Sequence, residues 1–177
     1  TGTGKTFGFG LPLLSRLVTP AQEGWADFKH AGKPQALVIV PTRELAIQVA
    51  GDLTKAGALL GARIVSLYGG KAYEPQIESL AKGVEVIVGT PGRLIDLIKQ
   101  HHLDLSAVKV LVLDEADEML DMGFLPDVET LVSKTSASRQ TMFFSATMPS
   151  QIVALSRRYM TQPTHIRAVD PTSETST

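Results

Sequence analysis

Residues 110–120 read VLVLDEADEML, so a short apolar run stops at four residues of which three are acidic. A run this short, with no polar alternation, predicts a strand buried on both faces of a sheet. Unpaired carboxylates are too costly inside such a strand, but at its carboxyl end they can reach a cation. Because α/β sheets bind ligands at the tips of parallel strands, the stretch indicates a ligand site. The alternative is a helix that begins with acidic residues, which the helix dipole also favours.

The first six residues favour a ligand site. They read TGTGKT and match the end of a phosphate-binding loop, whose full pattern is G-x-x-x-x-G-K-[ST]. Glycine lets backbone N–H groups surround phosphate oxygens, and the helix that follows would direct its positive end at the same anion. We expect Lys5 to neutralise the β- and γ-phosphates of a nucleotide and Thr6 to offer its hydroxyl to Mg²⁺. The predicted phosphate site comprises Thr1, Gly2, Thr3, Gly4, Lys5 and Thr6.

At this point the sequence resembles the DEAD-box RNA helicases. Asp114–Asp117 reads Asp-Glu-Ala-Asp, the signature of that family. The supporting motifs stand in the family's order and, with Gly4-Lys5-Thr6, span residues 1 to 147: Pro41–Ala46 (PTRELA), Gly69-Gly70, Thr90–Arg93 (TPGR) and Ser145–Thr147 (SAT). The resemblance implies ATP and Mg²⁺ as cofactors, RNA as partner, and coupling of ATP hydrolysis to local unwinding of RNA duplexes.

Apolar runs that alternate with helical patterns predict an α/β fold. Such alternation implies right-handed crossovers and a parallel sheet flanked by helices on both faces, and the resemblance identifies it as a RecA-like P-loop NTPase domain. The predicted strands are 36–40, 63–68, 84–88, 108–113, 140–144 and 164–167. The predicted helices are 5–18, 43–60, 73–82, 93–101, 118–122, 127–133 and 149–159. We expect this domain to cover residues 1–169, and the Ser/Thr-rich residues 170–177 to form a linker to a further domain or a frayed tail.

In a parallel sheet every strand-to-helix junction lies on one edge, so the motifs should share one rim. We assign Asp114 to Mg²⁺, through water, because Mg²⁺ keeps much of its hydration shell. Glu115 is the predicted catalytic residue that orients or deprotonates the attacking water, with Lys5 and Asp114 as the other catalytic groups. Asp117 resembles the family residue that links the nucleotide site to Ser145 and Thr147. The alternative for Asp117 is an acid at a helix start.

Three junctions, at Pro41–Arg43, Gly69-Gly70 and Thr90–Arg93, contain no acid near the strand tip, and we call them the acid-free junctions. They offer hydroxyls, glycine N–H groups, helix N-termini and two arginines, which suit the phosphate oxygens of a nucleic-acid strand better than base edges. The resemblance implies that they bind the RNA backbone without reading its sequence, and ordinary turn chemistry is the alternative. The predicted RNA-binding residues are Pro41, Thr42, Arg43, Gly69, Gly70, Thr90, Gly92 and Arg93.

Composition limits the other classes. The 177 residues carry a formal net charge of −1, so RNA binding must depend on local contacts rather than a broad positive field. The absence of cysteine excludes disulfides and cysteine metal sites. No apolar stretch reaches membrane-spanning length, and we expect a cytoplasmic protein.

Trp25 and Phe28 could form a platform for a base, but we favour loop packing because no basic cluster surrounds them.

The sequence begins inside the phosphate-binding loop, so we expect it to be a fragment. The strand that precedes this loop in the family, and the upstream segment that recognises adenine, are absent from it. In the family a second RecA-like domain supplies arginines to the γ-phosphate, so we expect these residues alone to hydrolyse little ATP. Two other functions stay open: a DNA-directed P-loop helicase or translocase, and a non-catalytic RNA-binding scaffold.

Overall fold

Strands and helices alternate along the chain, as predicted. The computed structural model describes residues 3–160 and 166–167, with side chains over residues 8–160. The predicted tail at 170–177, together with Thr1 and Gly2, lies outside the described residues. The strands are β1 (Ala36–Ile39), β2 (Ile64–Leu67), β3 (Val86–Gly89), β4 (Val110–Leu113), β5 (Gln140–Ser145) and β6 (Ile166–Arg167). The helices are α1 (Thr3–Ser15), α2 (Arg43–Gly57), α3 (Tyr73–Lys82), α4 (Pro91–Lys99), α5 (Ala116–Asp121), α6 (Leu125–Ser133) and α7 (Ser150–Tyr159).

The six described strands form a parallel sheet in the order β2-β3-β1-β4-β5-β6. The first strand in the chain therefore lies in the interior of the sheet, where Ile39 is opposite Gly89 on one side and Leu113 on the other. Consecutive strands are joined through helices because parallel neighbours need a crossover. The predicted α/β class and parallel sheet are confirmed.

The sheet is buried on both faces because alternate residues of each strand enter different cores. In β1, Leu37 and Ile39 pack in one core with side chains of α4, α5, α6 and α7. Val38 and Val40 pack in a second core with side chains of α1 and α2. All four residues are fully buried, which explains why the strand reads as a continuous apolar run. In the described part of the chain, no helix is both long and apolar enough to cross a membrane.

The predicted helix 5–18 is wrong at its end, because α1 stops at Ser15. Beyond Ser15, the side chain of the buried Gln35 hydrogen-bonds to the backbone in place of helical partners. Gln35 accepts a hydrogen bond from the Val18 N–H at 2.8 Å and donates one to the Val18 carbonyl at 2.7 Å. These two bonds tie the Val18 backbone to the residue that precedes β1. The predicted helix 43–60 is likewise shorter, since α2 ends at Gly57 and Ala58–Leu60 is a 3₁₀ turn.

Four helices, α1, α4, α5 and α6, begin two residues earlier than predicted, and the strands β2, β3, β4 and β6 begin one or two residues later. α4 begins at Pro91, a residue that suits the first turn because its missing N–H would have no partner there. α5 begins at Ala116, directly after the acidic strand tip. β3 begins at Val86, and the carboxylate of the fully buried Glu85 before it pairs with the Arg63 guanidinium at 2.6 Å.

Candidate functional site

The carboxyl ends of the central strands are in register. Hydrogen bonds continue one residue beyond the strands, from the Thr90 N–H to the Leu67 carbonyl at 3.0 Å and from the Asp114 N–H to the Ile39 carbonyl at 3.0 Å. The residues that follow these strands therefore lie on one edge of the sheet, which we call the rim. Because neighbouring strands are about 4.8 Å apart, the tips of five strands span about 20 Å.

The strand order divides the motifs on the rim into two groups. The three acid-free junctions follow the neighbouring strands β2, β3 and β1, and the acidic and SAT junctions follow the neighbouring strands β4 and β5. Across the sheet the junctions run in the order Gly69-Gly70, Thr90–Arg93, Thr42-Arg43, Asp114-Glu115 and Ser145–Thr147. Thr42-Arg43 lies at the boundary between the groups, one strand away from Asp114.

The acidic tip has an unusual backbone. Asp114 is only 1% exposed at the end of β4. Glu115 follows with φ 53° and ψ 50°, the left-handed conformation that L-residues avoid because Cβ approaches the next carbonyl oxygen. Such strain persists where the surrounding structure enforces it, and it concentrates at functional sites. The sequence carries no signal for this conformation, since glutamate is not a residue that favours it.

The acidic tip suits a hard cation that keeps its water. Carboxylate oxygens are the ligands that Mg²⁺ prefers, and Mg²⁺ usually takes only one or two of them from the protein. Over the described residues, no cluster of three or more His, Cys, Asp or Glu side chains could hold a metal by itself. The donors at Asp114 and Glu115 therefore fit a partly hydrated ion that phosphate oxygens also bind.

The predicted phosphate-binding residues are described only in part. Thr3, Gly4, Lys5 and Thr6 belong to the first turns of α1, and their side chains lie outside the described set. Thr1 and Gly2 are also outside it. From Gly8 onward, Phe9 and Leu13 are fully buried, and the Phe9 ring lies 5.3 Å from the ring of Phe144 at the end of β5. This packing holds α1 against the sheet.

Asp117, Ser145 and Thr147 are brought together. One Asp117 carboxylate oxygen accepts hydrogen bonds from the Thr147 hydroxyl at 2.8 Å and from the Thr147 N–H at 3.0 Å. The Asp117 N–H donates to the Ser145 hydroxyl oxygen at 3.1 Å, and that hydroxyl donates to the Thr147 carbonyl at 2.6 Å. These bonds join the first turn of α5 to the end of β5. Their role in coupling stays a prediction.

This network lowers the pKa of Asp117. Desolvation acts to raise the pKa of the carboxyl group, but hydrogen bonds with the Thr147 and Ser145 side chains and with backbone N–H groups outweigh it. The pKa of Asp117 consequently lies below its ordinary value of 3.8. At neutral pH the residue is an anion that accepts hydrogen bonds from β5.

Cationic side chains gather around Tyr68 at the end of β2. The Arg43 guanidinium lies 5.4 Å from the centroid of the buried Tyr68 ring, and the Lys71 ammonium lies 5.6 Å from it. Both cationic residues are exposed and flank the Gly69-Gly70 turn. Gly70 has φ 81°, which favours glycine. Two cationic groups near one turn make the local potential positive, which favours an anion there.

The Thr90–Arg93 junction is closely packed. A Cβ on Gly89 would lie 2.7 Å from the Leu94 side chain and 2.9 Å from the Leu67 carbonyl oxygen, so only glycine fits there. Thr90 then caps α4 in an extended conformation. Arg93 is 7% exposed, and its guanidinium donates to the Gln76 side chain and the Lys71 carbonyl, each at 3.0 Å. Two terminal nitrogens of Arg93 are thus held within the protein.

Sequence reasoning missed Gln76, Lys71 and Tyr68 as components of the rim. Gln76 could have been suspected, because a polar residue stands on the apolar face of a predicted helix, among Tyr73, Ile77 and Leu80. Lys71 follows the glycine pair directly, and no periodicity distinguishes it from an ordinary surface lysine.

The aromatic residues Trp25 and Phe28 lie away from the rim. The Trp25 ring is 5.5 Å from the Arg63 guanidinium, and the Phe28 ring is 5.8 Å from the Lys109 ammonium. Arg63 and Lys109 directly precede β2 and β4, so the two rings lie at the amino ends of these strands. This position, away from the rim, favours loop packing.

Comparisons with known proteins agree with these motifs. The family model described as DEAD/DEAH box helicase matches residues 1–155. The DEAD-box ATP-dependent RNA helicase CshA of Streptococcus pneumoniae is 47% identical over 167 residues, which cover 94% of this chain and 30% of that protein. The chloroplastic DEAD-box ATP-dependent RNA helicase 3A of Zea mays is 47% identical over 174 residues, which cover 98% of this chain and 23% of that protein.

A solved structure has the same fold. The crystal structure of a DEAD box protein from the hyperthermophile Methanococcus jannaschii matches with a TM-score of 0.79 at 41% identity. The match covers 96% of this chain and 43% of that one. The chain therefore spans less than a third of the two curated relatives and less than half of the solved protein.

Proposed function

The chain belongs to the DEAD/DEAH box helicase family, and we propose that it is the first of two RecA-like domains in an ATP-dependent RNA helicase. The observation that carries the proposal is the strand order. It sets the acidic junction after β4 and the SAT junction after β5 beside the three acid-free junctions on one rim. A nucleotide and a nucleic-acid backbone can then occupy neighbouring parts of a single surface.

The nucleotide half consists of the phosphate loop and the tip of β4. We assign Lys5 to the β- and γ-phosphates, and Thr6 and Asp114 to Mg²⁺, with Asp114 acting through water. Glu115 orients or deprotonates the attacking water, since phosphoryl transfer depends mainly on positioning and charge neutralisation. Mg²⁺, when bound, neutralises charge on the phosphate oxygens. The left-handed conformation of Glu115 supports this role, because strain of this kind is found at functional sites.

The RNA half consists of the three acid-free junctions. The N-termini of α2 and α4 point at the rim, and Thr42 caps α2 by accepting the Leu45 N–H at 3.2 Å. Helix N-termini attract anions, and Arg43 with Lys71 adds positive charge beside them. The ligands offered are backbone N–H groups, hydroxyls and cations. Recognition should therefore follow the RNA backbone and be independent of sequence.

Coupling between the halves would pass through neighbouring strands. Thr42-Arg43 is one strand away from Asp114, and Asp117 is bonded to Ser145 and Thr147 one strand further on. We infer that a second RecA-like domain closes over this rim and supplies the remaining charge to the γ-phosphate. On this proposal the chain alone turns over little ATP, and the complete protein acts in the cytoplasm.

The decisive experiment is the ATPase rate of the full-length protein with no nucleic acid, with single-stranded RNA, and with matched single-stranded DNA. Stimulation by RNA alone supports an RNA helicase. Equal stimulation by DNA would move the function to a general nucleic-acid translocase. No ATP hydrolysis under any of the three conditions would instead indicate a non-catalytic scaffold.

A further inference from the structure

Gln76 forms a buried link between two of the acid-free junctions. It lies on α3, is 6% exposed, and uses both ends of its amide. Its nitrogen donates to the Tyr68 carbonyl at 3.2 Å, and its oxygen accepts from the Arg93 guanidinium at 3.0 Å. A buried amide with both ends satisfied fixes the groups that it contacts, because an unpaired partner would keep the full cost of desolvation.

The link holds both ends of the glycine turn. Tyr68 and Lys71 flank Gly69-Gly70 directly in the sequence. Gln76 binds the carbonyl before the turn, and Arg93 binds the carbonyl after it at 3.0 Å. Since Gln76 and Arg93 also bind each other, the turn is closed by a continuous set of hydrogen bonds. We call this set the Gln76–Arg93 clamp.

A second layer of contacts fixes Arg93 within the clamp. Its guanidinium lies 3.9 Å from the centroid of the Tyr73 ring, and the Tyr73 hydroxyl donates to the Asp96 carboxylate at 2.9 Å. Arg93 and Asp96 both belong to α4, so the ring ties α3 to α4 beside the clamp. The guanidinium is therefore held on its face as well as at its terminal nitrogens.

We propose that Gln76 is a positioning residue for RNA-backbone binding, which sets the shape of the Gly69-Gly70 turn before RNA arrives. The inference rests on the proposed function. A glycine pair loses more conformational freedom on ordering than any other pair, so an unclamped turn would have to be ordered by the RNA itself. Preorganisation improves affinity by removing that cost from the binding step. The clamp thus acts on the affinity for RNA and leaves the nucleotide half unchanged.

The test compares Gln76→Leu with Gln35→Leu in the full-length protein. Gln35 is a matched control, because it is fully buried and its amide is also bonded at both ends, in this case to the Val18 backbone, but it lies at the amino ends of the strands, opposite the rim. Both variants should be destabilised to a similar degree. We expect Gln76→Leu to raise the RNA concentration for half-maximal ATPase stimulation about tenfold, with the KM for ATP within about twofold of wild type. Gln35→Leu should leave that RNA concentration unchanged.

Other outcomes distinguish a failure of the clamp from a failure of the proposed function. Equal RNA half-saturation in the two variants, with wild type stimulated by RNA, would overturn the clamp and leave the proposed function intact. A wild-type protein that RNA does not stimulate would overturn the function and the clamp together. Should Gln76→Leu fail to fold, Gln76→Met serves instead, since it keeps the length of the side chain, adds no charge and loses both hydrogen bonds. It should give the same tenfold shift, and a half-saturation equal to that of wild type would refute the clamp.

Discussion

Thr147 binds one oxygen of the Asp117 carboxylate through both of its donors, the hydroxyl at 2.8 Å and the backbone N–H at 3.0 Å. Because the pKa of Asp117 is depressed below 3.8, this anion contributes stability above that pH and loses it as pH falls through the folded-state pKa. The replacement Thr147→Val removes the hydroxyl and keeps the N–H. It should lower the free energy of unfolding by about 1 kcal/mol at pH 7.

The same replacement should matter less in acid. Urea unfolding of both proteins at a series of pH values should show the difference shrinking below pH 3.8, the ordinary pKa of the group. Ser133→Ala is a control, since its hydroxyl bonds only the Thr130 carbonyl on an exposed helix turn. A Thr147→Val effect that is constant with pH would contradict an ionised Asp117 partner.

The left-handed backbone of Glu115 is strained, and this strain should be measurable as a loss of stability. At φ 53° the Cβ of an alanine crowds the next carbonyl oxygen, whereas a glycine has no Cβ and avoids that strain. Glu115→Gly should therefore be more stable than Glu115→Ala by about 1 kcal/mol in urea unfolding, although both lack the carboxylate. Equal stabilities would mean that the backbone relaxes once the side chain is removed.

A companion variant isolates the chemistry. Glu115→Gln keeps the length of the side chain and removes its charge. In the full-length protein it should reduce ATP turnover by about a hundredfold or more, with little change in nucleotide affinity, because a base or water-orienting group acts in the transition state. Unchanged turnover would remove Glu115 from the catalytic assignment.

Gly89 is required by packing, whereas Gly92 three residues later is not. A Cβ at Gly89 would overlap the Leu94 side chain and the Leu67 carbonyl, so Gly89→Ala should cost about 1–3 kcal/mol of stability. No heavy atom lies within 4 Å of a Cβ built on Gly92, which is in the first turn of α4. Gly92→Ala should be neutral or slightly stabilising. Thermal unfolding of the two variants checks the contrast, and equal losses would refute it.

Arg43 and Lys71 should contribute to RNA binding through charge. Each alanine replacement that loses one phosphate contact should reduce the slope of log affinity against log salt by about 0.7, the value for single strands. Lys82→Ala is the control, since this lysine is also exposed but lies at the far end of α3. Fluorescence anisotropy with labelled single-stranded RNA at several salt concentrations measures the slopes. A slope that stays at the wild-type value in Arg43→Ala and Lys71→Ala would exclude them as phosphate ligands.

The sequence by itself determined the fold class and the set of junctions. Apolar runs such as Val110–Leu113 have no polar alternation because the strand is buried on both faces, and this pattern is local. The carboxylates of Asp114 and Glu115 had to stand at a strand end, because the interior of the strand excludes them. The positions of motifs along the chain were therefore readable before any contact was known.

Only the tertiary structure decided which junctions are neighbours and what holds them. Strand order depends on crossovers that place β1 between β3 and β4, and no local pattern encodes that choice. The sequence also did not predict the left-handed Glu115 or the Gln76–Arg93 clamp. The clamp joins residues of α3 and α4 that meet only when both helices have packed, and the conformation of Glu115 is set where β4 turns directly into α5. Periodicity reports which side of an element is buried, whereas a hydrogen bond needs the position of the partner, and that is a property of the whole fold.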